Sequence, residues 1–275
     1  MTTAELEASS FLYGSNSAFI EQLYQRYLAS PNSVDASWQQ FFATLGDDAD
    51  SVLALVDRFG AVPDGFVLLL ANELFDALPI HQLVRSANGW HERMVGLEDN
   101  KFAFVAGDKK MDTIVPRSWK SATQGTMIET SAAASAVMQE IATRLKEQGG
   151  AALIVDYGAF ELRAGSTLQA IKSHEKVDVF AHPGQSDITA HVDFEMLKDV
   201  AEKNGADVMG LQMQGDWLRS MGIETRLEAL QRKNPGEKDK LKRQFDRLTD
   251  DAQMGTLFKV LGICGRRWPI GAGFD

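Results

Sequence analysis

The stretch at residues 66–84, FVLLLANELFDALPIHQLV, constrains the fold more than any other part of this chain. Its continuous apolar run, residues 66–71, is typical of a strand that is buried on both faces of a sheet. The run stops abruptly at Asn72 and Glu73, and Asp76 follows closely. In an open α/β sheet, ligands bind beyond the carboxyl ends of the strands. We therefore expect these three polar residues to lie where such a fold carries out its chemistry.

Composition and charge exclude several classes of protein. The chain has 275 residues, of which 44% are hydrophobic, and this is enough for a packed core. The formal net charge of −10 argues against nucleic acid or an anionic membrane surface as the main partner. Cys264 is the only cysteine, so no intrachain disulfide can form. That cysteine usage, the lack of an 18-residue apolar run and the acidic start MTTAELEASS predict a cytoplasmic location.

The first 48 residues are predicted to form a small helical segment that is separate from the rest of the chain, residues 49–275. Aromatic and aliphatic residues recur at helical spacing between Phe19 and Leu28, and a second group runs from Trp38 to Phe42. The sequence Gly46-Asp47-Asp48 is typical of a linker. This segment is too small to build a core alone, so its apolar face must dock on another surface.

From residue 51 onward, the pattern predicts an α/β fold. Strands are expected at 66–71, 151–155, 208–212 and 257–263, with helices at 131–148, 194–204, 216–232 and 237–251 between them. Such alternation predicts a parallel, doubly wound sheet. Residues 81–105 are expected to form an antiparallel meander, with Asn88-Gly89 as a type I′ hairpin turn.

The candidate site residues allow two interpretations. Asn72, Glu73 and Asp76 could hold a ligand, or Asn72 could cap a helix whose dipole the acids favour. Asp156 and Tyr157 follow the next buried strand in the same way, so the two strand ends would form a cleft. Glu129 precedes a predicted helix at Ser131 and could cap it or face that cleft.

Two histidines flank a polar loop, HPGQSDITAHVD. His182, His191 and Asp187 could suggest a metal site, but a loop that contains proline and glycine fixes no common ligand face. No metal is therefore predicted. The chain also lacks a G-x-S-x-G turn, so serine hydrolase chemistry has no support.

Several ordered motifs between residues 52 and 270 resemble the MidA family of class I S-adenosylmethionine-dependent methyltransferases. They include ANELFDALPIHQLV within 66–84, AALIVDYG at 151–158, GSTLQAIKSH at 165–174, DVFAHPGQSDITAHVD at 178–193, QGDWLRSMGI at 214–223 and MGTLFKVL at 254–261. The resemblance implies a partial doubly wound, Rossmann-like methyltransferase sheet with a meander insertion. It also implies the cofactor S-adenosylmethionine and an arginine of a protein as methyl acceptor.

The resemblance assigns roles by position. Asn72, Glu73 and Asp76 fall where this superfamily places groups near the acceptor, and carboxylates suit a guanidinium there. A substrate-binding role is expected of Glu129, Asp156, Tyr157, His182, Asp187 and His191. The family's first three strands and glycine-rich cofactor loop have no counterpart, and Gly271-Ala272-Gly273 has no helix after it. Cofactor-binding residues therefore remain unknown.

The N-terminal segment resembles a different family. FLYGSNSAFIEQLYQRYLASPNSVDASWQQFF, within residues 9–45, is similar to the start of the thiamine-dependent component of 2-oxoglutarate dehydrogenase. There it attaches that component to the succinyltransferase core, and it holds no thiamine diphosphate-binding residue. The sequence thus supports two hypotheses: a methyltransferase with an incomplete cofactor site, or a non-catalytic assembly protein that docks on the dehydrogenase complex through residues 1–48.

Overall fold

The computed structural model describes residue 30, residues 66–173 and residues 175–274. The predicted N-terminal helical segment and its boundary near residue 48 lie outside these residues. The described strands are β1 (Val67–Asn72), β2 (His81–Ser86), β3 (Gly89–Glu98), β4 (Lys101–Lys110), β5 (Met127–Thr130), β6 (Gly150–Ala159), β7 (Gln169–Lys172), β8 (Glu175–Val177), β9 (Asp187–Thr189), β10 (Val192–Asp193), β11 (Asp207–Met213) and β12 (Phe258–Cys264). The α-helices are α1 (Ala132–Gln148), α2 (Phe194–Lys203), α3 (Gln214–Ser220), α4 (Ile223–Lys233), α5 (Lys238–Thr249) and α6 (Met254–Leu257). Short 3₁₀ turns occupy Arg117–Trp119 and Pro235–Glu237.

The main sheet has the strand order β1-β6-β12-β11, with β10 paired to the end of β6. β12 lies between two neighbours and all seven of its residues are buried, which explains its unbroken apolar sequence FKVLGIC apart from one lysine. The predicted α/β class and partial doubly wound sheet are confirmed. The expectation of an all-parallel sheet is wrong, because β12 runs antiparallel to both β6 and β11. The direction of a strand depends on the connection that leads into it, and the periodicity of apolar residues does not encode the path of that connection.

The first strand of this sheet is less buried than its sequence predicts. Leu68 is 40% exposed and Leu70 is 65% exposed, whereas Ala71 is buried. Among the described strands, β1 pairs with β6 on one side only. The expectation that this strand is buried on both faces is therefore wrong, because an apolar run does not record which neighbours cover it.

A compact unit comprising residues 69–147 and 151–275 contains every candidate site residue. Its helix α2 buries Phe194 and Leu197 completely and leaves the opposite side open to solvent. Helix α1 buries Met138 and Leu145 in the same way. These alternating apolar and polar stripes are what an amphipathic helix covering a sheet requires.

The predicted meander is confirmed as a separate sheet with the order β4-β3-β2-β5. Its core is built from Leu83, Trp90, Val115 and Ile128. The hairpin between β2 and β3 is present, but Ser86 pairs with Gly89, so its two-residue turn is Ala87-Asn88. Neither turn residue has the positive φ that a type I′ turn needs. Instead, the hydroxyl of Ser86 accepts from the Asn88 N–H and donates to the Gly89 carbonyl, and this closes the turn.

Two other expected elements differ in detail. The helix predicted at 216–232 is two helices, α3 and α4, because Gly222 adopts the left-handed conformation between them. The loop at 182–191 contains the short strand β9, which pairs with β7.

Candidate active site

The chain turns sharply where β1 ends. Glu73 adopts a positive φ of 48°, which is uncommon for a residue with a side chain, and its N–H donates to the Val155 carbonyl at 3.0 Å. Asn72 and Glu73 are both exposed, and the Asn72 amide donates to the Glu73 carboxylate at 3.3 Å. Residues 73–80 form turns rather than a helix, so the helix-cap interpretation of Asn72 is wrong. The polar groups of Asn72 and Glu73 therefore face solvent.

Asp156, near the end of β6, ties this turn to the sheet. Its Oδ2 accepts the backbone N–H groups of Phe75 at 3.0 Å and Asp76 at 3.2 Å, and its Oδ1 accepts the N–H of Tyr157 at 2.8 Å. The side chain is fully buried, at 0% exposure. Burial and the nearby Asp76 carboxylate raise the pKa of Asp156 to about 7, against the opposing effect of the three N–H groups.

The two strand ends are also joined through Asp76 and Tyr157. The Tyr157 hydroxyl donates to Asp76 Oδ2, while Asp76 Oδ1 is buried and has no hydrogen-bond partner among the described residues. The Ala190 N–H donates to the Asp76 carbonyl at 3.0 Å, which adds the segment before β10 to the cluster. Burial, and then the bond to Asp76, raises the pKa of Tyr157 above its usual range. The structure thus brings three of the predicted residues together as one buried group.

Glu129 and His191 lie beside each other through a shared threonine. The Glu129 carboxylate accepts the Thr167 N–H at 3.0 Å and the Thr167 hydroxyl at 2.5 Å, and the same hydroxyl accepts the His191 N–H at 2.8 Å. Glu129 lies in β5 and caps no helix, because Ser131 caps α1 by accepting the Ala134 N–H. Partial burial of the ring lowers the pKa of His191, and Glu129 opposes that effect.

His182 and Asp187 lie apart from these groups. Both side chains are exposed, and within the described residues neither makes a hydrogen bond or ion pair with the cluster. No three His, Cys, Asp or Glu side chains in the described part of the chain are grouped as metal ligands. In that same part, no helix combines the length and apolar character that a membrane span needs.

A cleft of about 1250 Å³ opens beside the cluster. Phe75, Ala190 and His191 line it, together with residues of α2, of the start of α1 and of the segment 109–122. Glu129 also lines it, whereas Asn72, Glu73, Asp156 and Tyr157 do not. Because Phe75 and Ala190 are bonded to Asp156 and Asp76, the cleft is continuous with the turn after β1.

Sequence reasoning missed one buried charge, Lys259. It lies opposite Asp156 in the β6–β12 ladder and is only 5% exposed. Its ammonium donates to the carbonyls of Gly158 at 3.0 Å, Leu257 at 3.2 Å and Thr256 at 2.5 Å, and burial lowers its pKa. A lone lysine inside the apolar run LFKVLGIC was the signal that could have identified it.

Two of the described glycines lie against protein backbone. A Cβ on Gly158 would lie 2.1 Å from the Val192 carbonyl oxygen, and one on Gly215 would lie 2.7 Å from the Thr249 carbonyl oxygen. Both glycines therefore make room for protein backbone rather than for a ligand.

Comparison with protein families gives a match over residues 25–212 to a model described as a putative S-adenosyl-L-methionine-dependent methyltransferase. The match begins inside the segment that resembles the dehydrogenase. Because this family is one of methyltransferases, the match does not show the predicted fusion to a dehydrogenase segment.

Curated relatives carry the same activity in their names. The protein arginine methyltransferase NDUFAF7 of Danio rerio is 36% identical over 74% of this chain and 48% of its own length. The Drosophila melanogaster homolog is 35% identical over 75% of this chain and 49% of its own length. The human protein is 30% identical over 74% of this chain and 46% of its own length. The chain thus spans about half the length of the curated relatives it matches. These relatives are named as mitochondrial, which contradicts the cytoplasmic location expected from the sequence.

Solved structures agree with the family. A crystal structure from Burkholderia thailandensis, bound to S-adenosyl-homocysteine, has a TM-score of 0.64 and 29% identity to this chain. The similarity covers 78% of this chain and 56% of that one. With the strand order of the main sheet and the family match over residues 25–212, these findings show that the chain belongs to the family of S-adenosylmethionine-dependent methyltransferases.

Proposed function

We propose that this chain forms the acceptor side of a protein methyltransferase that uses S-adenosylmethionine, and that the acceptor is an arginine side chain. The observation that carries the proposal is the cluster after β1 and β6, where Asp156 fixes the turn that presents Glu73 and Asp76. The names of the relatives support arginine as the acceptor.

Asn72 and Glu73 are proposed to bind the guanidinium directly. Both are exposed at the sharp turn, and a carboxylate can accept two parallel N–H bonds from a guanidinium. When one guanidinium nitrogen gains a methyl group it gives up a proton, and the Glu73 carboxylate is placed to accept it. Asp76 is proposed to support them from its buried position in the same turn, where Tyr157 donates to its carboxylate.

The substrate-binding residues expected from the sequence divide into three groups within this proposal. Asp156 and Tyr157 hold the turn in place and are proposed to act through it. Glu129 and His191 line the cleft and are proposed to contact the protein substrate. For His182 and Asp187, exposure on the 182–191 segment is the only support.

The test is transfer of tritiated methyl groups from S-adenosylmethionine to a peptide with one arginine, compared with the same peptide carrying lysine instead. The N-terminal half of a family member is added to the chain, because it supplies the cofactor-binding strands that have no counterpart here. We expect label on the arginine peptide alone, and a rate roughly 10- to 100-fold lower for Glu73→Gln. Glu98→Gln removes a carboxylate that is equally exposed but lies on the β3–β4 hairpin, and it should keep the full rate. Equal labelling of both peptides, or of neither, would overturn the proposal.

Docking on the 2-oxoglutarate dehydrogenase core through residues 1–48 is a second proposal, and its support is the sequence similarity of residues 9–45. Retention of the full chain on immobilised succinyltransferase core, lost on deletion of residues 1–48, is the expected result. Equal retention with and without those residues would overturn this second proposal.

A further inference from the structure

The cleft beside the cluster is larger than a small acceptor needs. Its volume of about 1250 Å³ exceeds the range of roughly 300–1000 Å³ that is common for small-molecule pockets. It is also open to solvent rather than enclosed. An extended peptide suits such a cleft better than a free amino acid does.

The charge of the cleft is predominantly negative. Its lining includes five carboxylates and two lysines: Glu129, Glu161, Asp193, Glu195 and Asp199, with Lys109 and Lys203. Three of the carboxylates are already bound within the protein. Glu129 holds the 166–168 turn, Asp193 caps α2 through the Met196 N–H, and Asp199 pairs with Lys203 at 3.1 Å.

Glu161 and Glu195 are the remaining two carboxylates. Both are exposed, and within the described residues neither has an ion pair. Glu195 lies in the first turn of α2, on the solvent side of a helix whose other side is buried in the core. Charges that face a cleft without an internal partner are available to a ligand of opposite sign.

Apolar side chains also line the same cleft. Ile114 is 47% exposed, and Met111 and Trp119 are half-buried beside it. An exposed aliphatic side chain next to a half-buried aromatic one is a common contact surface for a leucine or methionine of a partner. The cleft therefore offers both acidic and apolar side chains to a ligand.

We infer that this cleft binds the segment of the protein substrate next to its acceptor arginine, and that it selects a segment with basic and aliphatic residues. The inference rests on the proposed function for the identity of the acceptor. Phe75 lines the cleft and belongs to the turn after β1, and Ala190 lines it and bonds to that turn, so the cleft adjoins the turn that carries Glu73. Glu161 and Glu195 select the basic residue, and Ile114 contacts the aliphatic one.

The experiment is fluorescence anisotropy of labelled peptides with the full chain in the absence of S-adenosylmethionine. The probe has a central arginine flanked by lysine and leucine, and its matched control carries glutamate in place of each lysine. We expect the lysine peptide to bind about tenfold more tightly at low salt, with a difference that shrinks as salt is added. Equal binding of the two peptides, or no binding of the lysine peptide at millimolar protein, would overturn the inference.

Reversing one charge on the protein tests whether the preference for the lysine peptide arises in the cleft. Glu195→Lys should weaken binding of the lysine peptide about three- to tenfold and strengthen binding of the glutamate peptide by a similar factor. Glu228→Lys makes the same charge reversal on α4, at an exposed glutamate outside the cleft. It should alter the affinity of neither peptide. An equal effect of the two substitutions would mean that only the net charge of the protein matters, and would also overturn the inference.

This test separates the inference from the proposed function, because peptide binding is measured without the methyl donor. Peptide selectivity without methyl transfer would support the cleft and overturn the arginine methyltransferase proposal. Methyl transfer to both lysine- and glutamate-flanked peptides at equal rates and affinities would support the arginine methyltransferase proposal and overturn the inference about the cleft.

Discussion

The carboxyl ends of β1 and β6 have similar sequences, in which an apolar run stops at an acid, but the two acids have opposite environments. Glu73 after β1 is exposed and its side chain bonds only to its neighbour Asn72 among the described residues. Asp156 on β6 is fully buried and accepts three backbone N–H groups. The same strand-end pattern thus leaves one acid exposed to solvent, which is the proposed ligand-binding group, and buries the other in the architecture that holds the turn.

Replacing each acid by alanine tests this division most strongly. Asp156→Ala would leave the N–H groups of Phe75, Asp76 and Tyr157 buried without an acceptor, so we expect it to lower the free energy of unfolding by about 3 kcal/mol. Glu73→Ala removes an exposed side chain and should change the free energy of unfolding by less than about 0.5 kcal/mol. Urea titration at fixed pH, with the midpoint and slope fitted separately, measures both.

Equal destabilisation by the two variants would contradict the division into a binding acid and a structural acid. If Asp156→Ala does not accumulate as folded protein, Asp156→Asn provides the same test, because it keeps one acceptor oxygen. It should lie between the wild-type protein and the alanine variant.

The sequence predicted the strands of this region well because apolar continuity is a strong signal. The runs at 66–71 and 151–155 were predicted as strands, and their polar ends do meet. The sequence could not distinguish Glu73 from Asp156, since exposure depends on which strand and loop cover each end. It also assigned Asn72 to a possible helix cap, whereas the positive φ of Glu73 directs the chain into a turn.

Other features depended on contacts that no local pattern records. Glu129 was predicted beside a helix start, but its role in holding Thr167 requires a loop almost forty residues away. His182 and His191 were grouped by sequence spacing, and both are exposed, yet His191 lines the cleft and His182 does not. Long-range pairing, rather than residue type, decided these positions.

The protonation of the buried acid gives a smaller effect that separates the two strand ends further. The pKa of Asp156 is raised from 3.8 to about 7 in the folded protein, chiefly by burial. Between these two values the folded protein therefore holds this proton more tightly than the unfolded chain does. Raising the pH through that window lowers the free energy of unfolding, by about 2 kcal/mol between pH 5 and pH 7.

This pH dependence should be specific to Asp156. Urea midpoints between pH 5 and pH 8 should fall with rising pH for the wild-type protein and level off above about pH 7. The slope should become shallower in Asp156→Asn, with a residual part from Asp193, whose pKa is also raised by burial. Glu73→Gln should keep the wild-type slope. His191, whose pKa is lowered by burial, acts in the opposite direction and reduces the slope of both proteins. A slope in Asp156→Asn equal to that of the wild-type protein would show that the carboxyl of Asp156 is ionised throughout. In that case its hydrogen bonds from the turn, and not its burial, would determine its charge.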